Sequence, residues 1–68
     1  MFFTIEVRRW TEDLASQMSR MRQWLDTERF EPDVFRHNIE GESVTIRVQF
    51  KVESEAIAFA STFGGQLL

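Results

Sequence analysis

Three segments of the chain alternate apolar and polar side chains with a period of two, which is typical of strands with one buried and one exposed face. The first predicted strand covers residues 2–8, the second covers residues 33–40 and the third covers residues 43–52. The third has the longest unbroken alternation, from Val44 to Val52. We therefore expect it at the centre of the sheet.

Two further segments, residues 12–28 and 54–63, repeat apolar residues at the spacing of amphipathic helices. The hydroxyls of Thr11 and Ser54 are predicted to cap the helix starts, and Gly64 to end the second helix in a left-handed conformation. The apolar stripe of the first helix consists of Leu14, Met18, Met21 and Leu25, and that of the second of Ala56, Phe59, Ala60 and Phe63. Both helices therefore have one apolar side with which to cover a sheet.

The order of these elements, β-α-β-β-α, predicts a single α+β domain spanning residues 1–68. The segment Glu40-Gly41-Glu42 has the composition of a tight hairpin, so the second and third strands should pair antiparallel. We expect two helices on one face of a three-stranded antiparallel or mixed sheet, with the third strand between the first two. This order resembles a truncated ferredoxin-like β-α-β-β-α-β architecture that lacks its last strand.

The resemblance implies that the outer edge of the first strand is unpaired, and proteins usually cover such an edge. Either the tail Gln66-Leu67-Leu68 folds over this edge, or a second molecule pairs with it across a two-fold axis. Association would also stabilise a chain of 68 residues, which has a small core and no cysteine for a disulfide. We therefore predict a homodimer, or a complex with another protein. The candidate contacts are Phe2, Phe3, Ile5 and Val34.

Charge is distributed unevenly over the predicted sheet. Strand parity places four basic residues and two acidic ones on the face away from the helices, a balance of plus two, whereas the rest of the molecule carries minus five. This face could attract an anionic partner. It has no aromatic residues on its central strand on which bases could stack, and a pI near 5.0 also argues against nucleic acid. The basic residues are Arg8, Arg36, Arg47 and Lys51, and the acidic residues are Glu6 and Glu40.

Candidate chemistry is sparse. His37 shares its parity with apolar neighbours, so we expect it at the rim of the core, as a weak candidate for a polar site without a second catalytic group. A loop rich in carboxylates, from Asp26 to Asp33, matches no calcium-binding spacing. Trp10 and Trp24 are interpreted as residues at the core margin. We assign no catalytic residue, no metal and no cofactor.

These observations favour a non-enzymatic protein-interaction or regulatory module. The alternatives are a small dimeric enzyme or ligand-binding protein with a pocket between helices and sheet, or an anion or nucleic-acid binder that uses the basic face. The chain has no long apolar run or signal-peptide pattern, so we expect a cytoplasmic protein without a membrane segment. Seven of its eight basic residues are arginine, which is typical of a GC-rich genome and suggests a bacterial one.

Overall fold

A computed structural model describes all residues from Met1 to Leu68 as two helices and one antiparallel sheet of four strands. No helix is long and apolar enough to cross a membrane. Along the chain the elements are β1 (Phe3–Trp10), α1 (Leu14–Glu28), β2 (Val34–Glu40), β3 (Ser43–Phe50), α2 (Glu53–Phe63) and β4 (Gln66–Leu67).

The strands lie in the order β2-β3-β1-β4, so β3 is between β2 and β1 as its alternation predicts. The prediction of three strands is wrong, because Gln66 and Leu67 pair antiparallel with Glu6 and Ile5. The Leu68 N–H continues this pairing by donating to the Thr4 carbonyl oxygen at 2.8 Å. The tail therefore covers part of the β1 edge, which is the first of the two alternatives that the sequence left open.

The core lies between the helices and one face of the sheet. Its strand residues are odd-numbered in β1 and even-numbered in β3, and Met21 of α1 and Phe59 of α2 cover them from the helix side. Trp24 adds a partly buried aromatic layer, with edge-to-face contacts to Phe30, Phe59 and Phe63 at ring-centroid distances of 5.6–5.7 Å. The buried strand residues are Ile5, Val7, Val44, Ile46, Val48 and Phe50.

The helix ends differ in part from the sequence prediction. Thr11 does not cap α1, because its hydroxyl bonds to the Glu42 carbonyl and the helix begins after Asp13, which has a left-handed φ of 63°. Ser54 does not cap α2, which starts one residue earlier at Glu53. The prediction for Gly64 is confirmed: its φ is 71° and its N–H donates to the Ala60 carbonyl.

Arg9 connects β1 to the end of α2 by a side-chain hydrogen bond. Its guanidinium donates to the Phe63 carbonyl, one of the last carbonyls of the helix, and to the Arg8 carbonyl. A cation at this position complements both the unpaired carbonyls and the negative end of the helix dipole. Gly65 packs closely against the same part of β1, because an added Cβ would lie 2.6 Å from Cγ2 of Ile5. The strand β4 is thereby held against the edge of β1.

Candidate interaction surface

The sheet face away from the helices, here called the open face, consists of the even-numbered residues of β1 and β2 and the odd-numbered residues of β3. Glu6 lies near its centre, and its side chain is only 13% exposed. Its carboxylate bonds Arg47 at 3.1 and 3.2 Å and Arg8 at 3.4 Å. One acidic group therefore compensates two of the predicted basic residues.

Arg36 is the next residue in the same cross-strand row, directly opposite Arg47. It is exposed and has neither an ion pair nor a side-chain hydrogen bond. The nearby carboxylate of Glu40 accepts a hydrogen bond from the Asn38 amide at 3.1 Å. A shallow depression of about 310 Å³, lined only by polar residues, includes Arg8, Arg36 and Arg47. These three predicted basic residues therefore share one surface.

Lys51 does not belong to this surface. It follows the end of β3, and its ammonium group lies 3.7 Å from the carboxylate of Asp33. Lys51 does not line the depression either. The four predicted basic residues thus separate into a group of three on the open face and one residue with a local partner.

The four candidate dimer residues differ in how far they are exposed. Ile5 is completely buried in the core, and Phe3 packs against the core from its margin. Val34 is partly buried, whereas Phe2 is exposed. Only Phe2 therefore presents a large apolar surface on which another molecule could pack directly.

The carbonyl groups on the edge of β1 beyond β4 also have hydrogen-bond partners. Residues of even number in β1 direct their backbone groups to this edge, as the bond between Leu68 and Thr4 shows. The Arg8 carbonyl accepts from the Arg9 guanidinium at 3.0 Å, and the Trp10 carbonyl from the Gln17 amide at 3.4 Å. The carbonyls that β4 leaves uncovered are thus bonded by side chains.

The opposite side of the sheet ends in β2, which pairs with β3 alone. Backbone groups of successive residues in antiparallel strands point to alternate sides. The Thr11 N–H bonds the Glu42 carbonyl at 2.8 Å, so the odd-numbered residues of β1 face β3. In the observed registers of β1 with β3 and of β3 with β2, the same alternation directs the backbone groups of the even-numbered β2 residues towards β3. The backbone N–H and C=O groups of Phe35, His37 and Ile39 therefore point outward.

His37 is in the middle of this outer edge. Its side chain is exposed and makes no hydrogen bond, so it is not the bonded residue at the core rim that strand parity suggested. The guanidinium of Arg22 in α1 covers the ring of Phe35 at 4.8 Å. Ile39 is 53% exposed although its parity places it on the helix side. The second half of β2 therefore extends past the helices.

Two exposed residues were not among the candidates. Trp10 is 68% exposed, so its interpretation as a residue of the core margin is wrong; it has the parity of Glu6 and Arg8, and its indole lies at one end of the open face. Its place on the open face could have been predicted by extending the β1 alternation beyond Arg8. The exposure of Ile39 could not, because it depends on how much of β2 the helices cover.

The chain was compared with protein-family models, with curated proteins and with solved structures, and none of these comparisons found a match.

Proposed function

We propose that this chain is a protein-interaction or regulatory module that forms a homodimer through its exposed sheet edge, β2, and that it has no catalytic activity of its own. The observation that carries the proposal is the unpaired outer edge of Phe35, His37 and Ile39, whereas β4 covers part of the opposite edge, on β1. A long unpaired edge is a template for another strand. The strand order and the shared helix face support a ferredoxin-like architecture for each subunit.

The β2 sequence is complementary to itself when two copies pair antiparallel about a two-fold axis at His37. Phe35 then lies opposite Ile39 of the second copy, which joins two apolar side chains on the helix side. His37 lies opposite its own copy, and Ile39 opposite Phe35 of the second copy. Each of these pairs exchanges two backbone hydrogen bonds, so every outward group of the strand is bonded.

Other registers fit less well. A shift by one residue would turn the apolar side chains of the second copy to the open face. An axis at Arg36 would place two guanidinium groups directly opposite each other, which is destabilising. An axis at Asn38 would move Phe35 opposite Gly41, beyond the end of the strand. The axis at His37 is the one that uses the whole strand.

The size of the chain also supports association. A domain of about this length removes only about 60% of its unfolded surface from water, and small domains often gain stability from a partner subunit. Pairing through β2 would cover the exposed part of Ile39 and extend the sheet across two subunits. A symmetric interface of this kind places the same residues on both sides.

The test replaces Ile39 by lysine and compares it with a matched control, Ile57→Lys. The two side chains are almost equally exposed, 53% and 51%, but Ile57 lies on α2, away from the β2 edge. We expect the wild-type chain and Ile57→Lys to sediment as dimers at high concentration, with a mass twice 8.1 kDa, and to dissociate on dilution. Ile39→Lys should stay monomeric, because a charged edge residue opposes strand pairing.

The melting temperature gives a second readout, because dimerisation makes it depend on concentration. It should rise with concentration for the wild type and for Ile57→Lys, but not for Ile39→Lys. A wild-type mass of 8.1 kDa at every concentration, or an Ile39→Lys variant that dimerises as tightly as the wild type, would refute the proposal.

A further inference from the structure

Arg36 is a charge without compensation on the open face. It lies directly opposite Arg47, and like charges at directly opposite positions repel each other. The carboxylate of Glu6 bonds Arg47 on the far side of this row and does not bond Arg36. Folding alone therefore leaves two adjacent guanidinium groups with a single carboxylate at one end.

The proposed dimer would enlarge this arrangement, and the following inference rests on it. With the axis at His37, Arg36 lies opposite Asn38 of the second copy. The Arg36 residues of the two copies become diagonal neighbours, a separation of roughly 7–8 Å that long side chains can bridge. Arg47 stands behind Arg36 in each copy. Two arginines from each copy thus surround the axis on the open face.

The acidic residues lie at the border of this cluster. Glu40 of the second copy would be the other diagonal neighbour of Arg36, and its carboxylate already accepts a hydrogen bond from Asn38. Glu6 is on β1, two strands away from the axis. The centre of the surface therefore holds the guanidinium groups of Arg36 and Arg47, which are hydrogen-bond donors only, beside the Asn38 amides.

We propose that the dimer binds a diphosphate group on its two-fold axis, with one phosphate held by the Arg36–Arg47 pair of each copy. A guanidinium can donate two parallel hydrogen bonds to a phosphate, and a diphosphate has the two-fold symmetry of the site. The site is incomplete in one chain, which supplies only half of the arginines. Inorganic pyrophosphate and the diphosphate of a nucleotide share this chemistry.

Binding of an anion to the dimer alone must stabilise the dimer. The experiment measures the dimer dissociation constant by sedimentation equilibrium in sodium pyrophosphate, in ADP, and in sodium chloride of equal ionic strength. We expect both diphosphates to lower the constant, by about tenfold when the ligand is present at about ten times its own dissociation constant. A larger effect of ADP than of pyrophosphate would identify a nucleotide as the preferred source.

The variant Arg36→Gln distinguishes binding of the anion at this site from general screening of charges by salt. Without the anion its dimer should be tighter than that of the wild type, because repulsion at the axis is removed, and pyrophosphate should no longer affect it. Arg36→Lys keeps the charge but not the fork and should respond only weakly. Arg20→Gln is the control, since Arg20 is exposed on α1 and the charge change is the same. It should respond as the wild type does.

The outcomes distinguish the two proposals. A wild-type dimer that pyrophosphate stabilises no more than sodium chloride does would overturn the diphosphate site and leave the dimer intact. An Arg36→Gln dimer that still responds, or a response to ADP without one to pyrophosphate, would also overturn it. A chain that is monomeric in all three solutions would overturn the dimer, and the site with it.

Discussion

A substitution at Gly65 tests how β4 is held against the edge of β1. A Cβ at this position would lie 2.6 Å from Cγ2 of Ile5, 2.9 Å from Cγ2 of Val7 and 3.2 Å from the Glu6 carbonyl oxygen. Ile5 and Val7 are completely buried, so they have little room to move. Gly65→Ala should therefore either strain the core or release β4 from the edge of β1.

The expected loss of stability can be worked out for each of these two effects. Forcing an extra carbon into a packed core costs about 1–3 kcal/mol. Release of β4 instead would break backbone bonds such as the one between Leu68 and Thr4, each worth about 0.5–1.5 kcal/mol. We therefore expect Gly65→Ala to lower the free energy of unfolding by about 1–3 kcal/mol. For a domain of this size, each kcal/mol lowers the melting temperature by roughly 4–8 °C.

Gly64→Ala is the matched control. Gly64 has a left-handed φ of 71°, but the nearest atom to an added Cβ is Nη2 of Arg9 at 3.8 Å. This variant should lose about 1–2 kcal/mol through backbone strain alone and should keep β4 in place. Urea unfolding gives the two stabilities, and amide exchange at Glu6, which faces β4, reports its release. A Gly65→Ala variant with wild-type stability and wild-type exchange at Glu6 would refute the packing argument.

Two further substitutions test the core and the end of α2. Phe59→Ala removes a completely buried ring that contacts Trp24 and Phe50, and should cost about 3–5 kcal/mol in urea unfolding, whereas the exposed Phe2→Ala should change stability by less than about 0.5 kcal/mol. Equal effects of the two would contradict the placement of the core. Arg9→Gln removes the charged donor to the Phe63 carbonyl and should cost about 1–3 kcal/mol, while Arg20→Gln should leave stability nearly unchanged. A similar result for both arginines would show that the contact to α2 does not stabilise the fold.

The alternation of apolar and polar residues predicted the sheet correctly where it extends over many residues. In β3, Val44, Ile46, Val48 and Phe50 are all buried, as their period of two implies, and β3 lies between its two predicted neighbours. The strand β4 could not be found in this way, because two residues show no period. Its position depends on the close approach of Gly65 to Ile5, which is a tertiary contact.

The candidate surface was predictable only in part. Strand parity was enough to collect Arg8, Arg36 and Arg47 on one face. It could not show that Glu6 bonds two of them and leaves Arg36 without a partner, because side-chain reach across strands depends on the register. Nor could it show how much of the β1 edge is covered, since β4 pairs with part of it and side chains of Arg9 and Gln17 bond two further carbonyls.

Amide hydrogen exchange along β2 tests the proposed dimer most directly, because it observes the outward N–H groups of Phe35, His37 and Ile39 themselves. If two β2 edges pair, these three amides exchange slowly in concentrated solution and quickly after dilution to the monomer. The inward amide of Arg36, which faces β3, should be protected at both concentrations. Rapid exchange of all three outward amides in concentrated solution, with Arg36 still protected, would contradict the dimer.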